Sequence, residues 1–255
     1  MIILLLIIIL SLLAIIIGKK RGIKALLALL FNYLIIIMTI VFICWGFNIY
    51  LCCYVSSILI SMITIFYLNG YNVKTVSSFI SIIILIIIMS FIIWIFNSKL
   101  RVQGFAYEQL EEISGYSFNL GLDMQDIFFL VVMFAVVGAI ADTSMAISSA
   151  IYEINENKKM KLSDLFASGM NVGKDILGTT INTLFFAFIG GFLGFILWHP
   201  NASLDLLINY KDFAANSFEI LCSAIGCIMI IPITDIISAY LLKHSYLYKY
   251  FKLDV

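Results

Sequence analysis

Long apolar runs separated by short polar segments fill almost the whole chain. Their lengths predict membrane helices over residues 1–17, 25–47, 49–68, 77–96, 126–151, 176–198 and 217–242. A span needs about 20 predominantly apolar residues, and the first run is the shortest of the seven. The pattern implies an all-α integral membrane protein of about seven spans. From Ala25 to Val73 no residue is charged, and the helices there are rich in Ile and Leu. Glycine, serine, threonine and acidic residues gather in the last three helices. The chain therefore divides into four apolar spans (residues 1–96), an outer loop (97–125) and a C-terminal three-helix functional bundle with its tail (126–255).

Composition agrees with the pattern. Hydrophobic residues make up 63% of the chain and charged residues 12%, against about 25% charged in soluble domains. Mean hydropathy is +1.12, so membrane lipid is the main solvent. Net charge is zero, which gives nucleic-acid binding no electrostatic basis. The five cysteines, Cys44, Cys52, Cys53, Cys222 and Cys227, lie in apolar runs without zinc-type spacing. His199 and His244 have no partners at ligand spacing. No cofactor or metal is expected.

Basic residues set an orientation. Lys19, Lys20, Arg21 and Lys24 follow the first span and nothing basic precedes it, which is the reverse of a cleaved secretory signal. Placing that cluster in the cytoplasm puts 12 Lys and Arg residues on inner segments. Only Lys99, Arg101 and Lys211 remain outside, as the positive-inside rule requires. The expected location is a bacterial plasma (inner) membrane, with the N-terminus outside and the C-terminus in the cytoplasm.

Two connecting segments carry patterns of their own. Leu110 and Ile113 within 107–113 suit a short interfacial helix made acidic by Glu108, Glu111 and Glu112. That acidity suits a solvated face, or alternatively a vestibule that gathers cations. On the inner side Ser163 is placed to cap a helix whose Leu165, Phe166 and Met170 have helical spacing. This helix is expected on the inner membrane surface, or as an element that docks a partner.

Two carboxylates stand out against this background. Asp142 lies in VVMFAVVGAIADTSMAISSAI and Asp235 in CIMIIPITDIISAYLL. An ionised Asp at the centre of a span costs about 2.5–3.5 kcal/mol on insertion scales, so it tends to face a protein interior or a wet cavity. At about 1.5 Å per residue, Asp142 falls roughly 15 Å from the inner end of its helix, and Asp235 roughly 10–12 Å. Asn182 and Thr183 fall about 9–11 Å from theirs. Three helices thus place polar groups at similar depth, and Thr143, Thr179, Thr180 and Ser238 extend the layer.

The faces support such a layer. Gly138, Asp142, Ala146 and Ala150 recur every four residues and suit close helix packing. Pro232 removes a backbone donor, frees the Ile228 carbonyl, and predicts a helix break one turn before Asp235 and Ser238. The bland alternative is interhelical glue, at about 0.6 kcal/mol per polar pair.

The run from Gly138 to Glu153, GAIADTSMAISSAIYE, resembles the signature of the YibE/F family of bacterial membrane proteins. SGMNVGKDILGTT (168–180), NTLFFAFIG (182–190) and the lysine-rich turn GKKRGIK (18–24) resemble it too. More distantly, the last three helices are similar to the final helices of SecF and RND-type exporters. That resemblance implies a proton-relaying Asp at Asp142, followed by a Thr-rich helix carrying Thr179, Thr180 and Thr183. Ala141 stands where SecF-like proteins tend to have Asn, and Pro232, Thr234 and Asp235 replace their Gly-Ser-Ser pattern. No loop here is long enough for the large outer domain of those exporters. A second membrane subunit of YibE type, or a homodimer, is therefore implied.

The expected function is the transmembrane subunit of a proton-coupled export or translocation system, with Asp142 and Asp235 in the proton relay. The rival is a non-transporting scaffold that assembles or regulates a partner through 152–175 and the tail 246–250. No enzyme is expected. An aspartyl dyad is the remote third reading, since no Ser/His, metal or paired-Asp motif supports hydrolysis.

Overall fold

The computed structural model describes residues 2–100, 123–157, 160–198 and 203–243, and nearly all of them are helical. In order, the helices are α1 (Ile2–Cys44), α2 (Ile49–Met62, continued by a π-helical turn Ile63–Tyr67), α3 (Val73–Leu100), α4 (Met124–Asn157), α5 (Leu162–Trp198), α6 (Leu204–Asn209) and α7 (Lys211–Lys243). Among the described residues, six helices are long and apolar enough to cross a membrane. The acidic segment 107–113, the tail 246–250, His199 and His244 lie outside the described residues.

The first two spans read from the sequence lie on one 43-residue helix, α1. It bends at Lys19, whose backbone has a positive φ (φ 47°, ψ −125°). Such a sparsely populated conformation costs a non-glycine residue on the order of 1–3 kcal/mol. The bend is tight enough that a Cβ on Gly22 would collide with the carbonyl oxygen of Ala14. A glycine is therefore needed there for the close approach.

Caps explain where α2 and α3 begin. The Asn48 side chain accepts the Leu51 amide at 3.2 Å. Asn72 and Thr75 cap reciprocally, the Asn72 amide donating to Thr75 Oγ1 at 2.9 Å and the Thr75 amide to Asn72 Oδ1 at 3.0 Å. Both arrangements satisfy amides that a helix start leaves open.

Three helices form the centre. α3, α4 and α7 pack on one another over most of their length, and α2 closes the side against α4. Ile82, Leu85 and Met89 of α3 meet Met133, Val136 and Ile140 of α4 in a fully buried layer. Lipid is as apolar as these side chains, so close packing and polar ties between helices hold such a bundle. The most apolar stretches of α1 and α5 have none of their residues buried, whereas that of α4 is 56% buried.

The division drawn from composition does not follow the packing. α3 belongs to the apolar half of the sequence, yet it is a full member of the core with α4 and α7. The inner-surface helix expected after Ser163 is the first part of α5 and runs unbroken into the span. Its Leu165 is fully buried beside Ile147, Ile151 and Leu242, so this stretch packs into the bundle. Ser163 sits within the first turn rather than before it.

Candidate functional site: a buried hydroxyl network and two acids

The polar centre of the fold is built from α3, α4 and α7. Ser77, Ser78 and Ser81 of α3, Ser144 and Ser148 of α4, and Thr234 and Ser238 of α7 are all buried. The Ser78 and Ser148 hydroxyls lie 2.6 Å apart. Ser144 Oγ donates to the Ser78 carbonyl at 3.3 Å and pairs with Thr234 Oγ1 at 3.1 Å. Ser238 Oγ donates to Ser77 Oγ at 3.0 Å. A hydroxyl both donates and accepts, so serine ties can run from helix to helix without a charge. Thr143 is buried beside them, donating to its own helix at Ala139 and to Cys227 Sγ of α7 at 3.5 Å.

Asp235 sits on the neighbouring face of α7, which looks towards α5. Its residue is wholly buried, and both carboxyl oxygens lack a hydrogen-bond partner among the described residues. The Met170 amide is close by but outside hydrogen-bond geometry. The carboxyl lies directly over the backbone of Gly169, where a Cβ would collide with Oδ1. One turn further along the same contact, a Cβ on Gly173 would run into the Ile231 side chain. Two glycines thus let α5 seat its backbone on α7, with a carboxyl group enclosed in the seam. An ionised carboxylate buried without a partner costs several kcal/mol, so the state of this group bears on whether the seam closes.

Asp142 is placed differently. With Gly138 and Ala146 it is on an exposed face of α4, within electrostatic reach of the buried Cys227 of α7. Thr179, Asn182 and Thr183 are exposed on α5, and Thr180 is half-buried. The Thr179 and Thr183 hydroxyls donate to carbonyls of their own helix, at Ile176 and Thr179. The single layer expected from depth is therefore split. Thr143, Ser238 and Asp235 are interior, whereas Asp142, Thr179, Asn182 and Thr183 face outward. Rise along a helix fixes depth but not direction, and those outward residues share only depth with the interior.

Pro232 does not break α7. The helix runs from Lys211 to Lys243 with the proline inside it. Surrounding helices and local adjustment keep a proline-bearing span intact where open backbone would be costly.

Sequence reasoning missed the serines of α3 and α4 and the role of Gly169. Ser77 and Ser81, like Ser144 and Ser148, are spaced by four residues and hence share a face, which is the signal that marks them. Gly169 had no comparable mark, because its partner is 66 positions away.

The profile of the YibE/F-like protein family matches residues 6–244. That is nearly the entire chain, whose described residues hold six helices long and apolar enough to cross a membrane. The chain belongs to the YibE/F-like family. No curated protein matches it, and no solved structure does.

Proposed function

We propose that this protein is the transmembrane subunit of a proton-coupled export or translocation system, and that Asp235 carries the coupling proton. The supporting observation is the enclosed Asp235 carboxyl, which lacks partners on both oxygens and presses on the Gly169 backbone. Gaining or losing a proton there changes the charge inside the seam between α5 and the three-helix core. Only a state-dependent interaction of that kind can shift a conformational equilibrium. The serine network keeps α3, α4 and α7 together as the fixed part, and α5 is the part that moves.

The wider reading is a multi-pass protein of a bacterial plasma membrane with its N-terminus outside and C-terminus in the cytoplasm. α1, about 65 Å long at 1.5 Å per residue, exceeds twice the thickness of the hydrocarbon core, about 30 Å. With its bend at the basic cluster it supports two crossings and a total of seven. Asp142, exposed beside Gly138 and Ala146, is where a second membrane subunit or a second copy of the chain packs. The same exposed face favours the scaffold reading, in which subunit assembly is the whole function.

Infrared difference spectroscopy across pH 5–9 separates these readings. A protonated-carboxyl band should titrate in the intact protein and vanish in Asp235→Asn but persist in Asp142→Asn. Loss in Asp142→Asn alone would move the proton to Asp142. The absence of any titrating band would leave the scaffold.

A further inference from the structure

At the end of the bundle where α2 begins and α3 ends, a second site stands apart from the hydroxyl network. A cleft of about 480 Å³ opens between α2 and α3. Tyr50 and Tyr54 form one wall, Phe91 and Trp94 the other, and the fully buried Phe129 of α4 the floor. Tyr50 and Phe129 are packed ring against ring, with centroids 5.1 Å apart. Ser90, also in the lining, has already donated its hydroxyl to the Ile87 carbonyl at 2.8 Å.

An acid adjoins this cleft. Asp126 lies one turn before Phe129 on α4 and accepts the Tyr50 hydroxyl at 2.5 Å. Asp123 is near enough to act electrostatically on Tyr50. Among the described residues, those lining the cleft include no Lys or Arg. Aromatic faces carry negative potential and attract cations, above all substituted ammonium groups that lose little hydration on entry. A carboxylate beside them adds charge complementarity.

We propose that this cleft binds an organic cation with apolar substituents, such as a substituted ammonium. The rings take its hydrocarbon surface and Asp126 balances its charge. Aromatic residues also collect at membrane interfaces as anchors. Interface anchors need neither a buried ring on the floor nor an acid bonded to the wall, and this cleft has both. The site is independent of Asp235 and of the proton reading.

The test is binding of tetraphenylphosphonium to the full chain in phosphatidylglycerol nanodiscs, with triphenylphosphine oxide as a neutral analogue. Saturable binding of the cation is expected, weakened at least tenfold by Asp126→Asn and severalfold by Trp94→Leu. The neutral analogue should not respond to Asp126→Asn. If Asp126→Asn lowers the melting temperature markedly, Trp94→Leu and Phe91→Leu at exposed wall positions carry the comparison. Adding phosphatidylethanolamine then identifies the natural source. Competition points to a lipid amine headgroup, and indifference to a free cation. Failure of the cation to saturate, or equal binding of both probes unaffected by the variants, would overturn the proposal.

Discussion

The inner and outer faces of the α4–α7 pair hold the same kind of residue in opposite circumstances. Inward, Asp235 is enclosed against Gly169 with no hydrogen-bond partner. Outward, Asp142 sits on an exposed strip of small residues that nothing among the described residues covers. The enclosed acid acts on how this chain packs with itself. In the reading proposed above, the open one acts on what the chain packs against. Similar depth in a membrane therefore says little about role until the direction of each side chain is known.

The contrast breaks most visibly at Gly169. Gly169→Leu should drive α5 off α7 and lower stability by about 1–3 kcal/mol or more, the usual cost of overfilling a packed site. A thermal melt in detergent would show it. Combining it with Asp235→Ala should restore part of the loss, with a coupling of about 0.5–3 kcal/mol. A melting temperature that Gly169→Leu leaves unchanged would mean the seam is not as tight as described.

Smaller effects sharpen the picture. Ser144→Ala removes a hydroxyl that ties α4 to both α3 and α7. Interhelical polar ties in membranes average about 0.6 kcal/mol and reach about 1.7. Chemical denaturation should place this variant within that range, and no loss at all would make the network ornamental to stability.

Asp142→Asn should leave the stability of a single chain within about 0.5 kcal/mol of the parent, as expected for an exposed position. Its effect should appear in assembly, as altered cross-linking between chains or to a co-purified membrane subunit. Unaltered cross-linking would remove the outward face from consideration as a docking surface. The smallest change belongs to Thr183→Val. The Thr183 hydroxyl bonds only within α5 among the contacts described, and melting should shift by less than about 0.5 kcal/mol in equivalent terms.

Much of this was legible in the order of residues. Helix existence followed from apolar run length, and family membership from the motifs around Asp142, Ser168 and Asn182. Asp235, Thr143 and Ser238 were marked as members of a polar layer, but not the enclosure of Asp235 against α5. What the order of residues hides is rotation. α4 has two faces with four-residue spacing, Gly138–Asp142–Ala146 and Ile140–Ser144–Ser148, and only packing decides which turns inward. Continuity was hidden for a related reason. The basic cluster at 19–24 and Lys174 read as lying between elements, whereas α1 and α5 carry them on helix.

The Gly169–Asp235 contact also bears on how the sequence is free to drift. Neither position has a conformational reason for its residue, since Gly169 lies in ordinary helix. Each is held by the other. A descendant that acquires alanine or larger at 169 must move the carboxyl aside, and one that first loses the carboxyl releases 169. Among relatives the two sites should therefore change as a pair, with Asp235 going first. Lineages that keep the acid should keep the glycine.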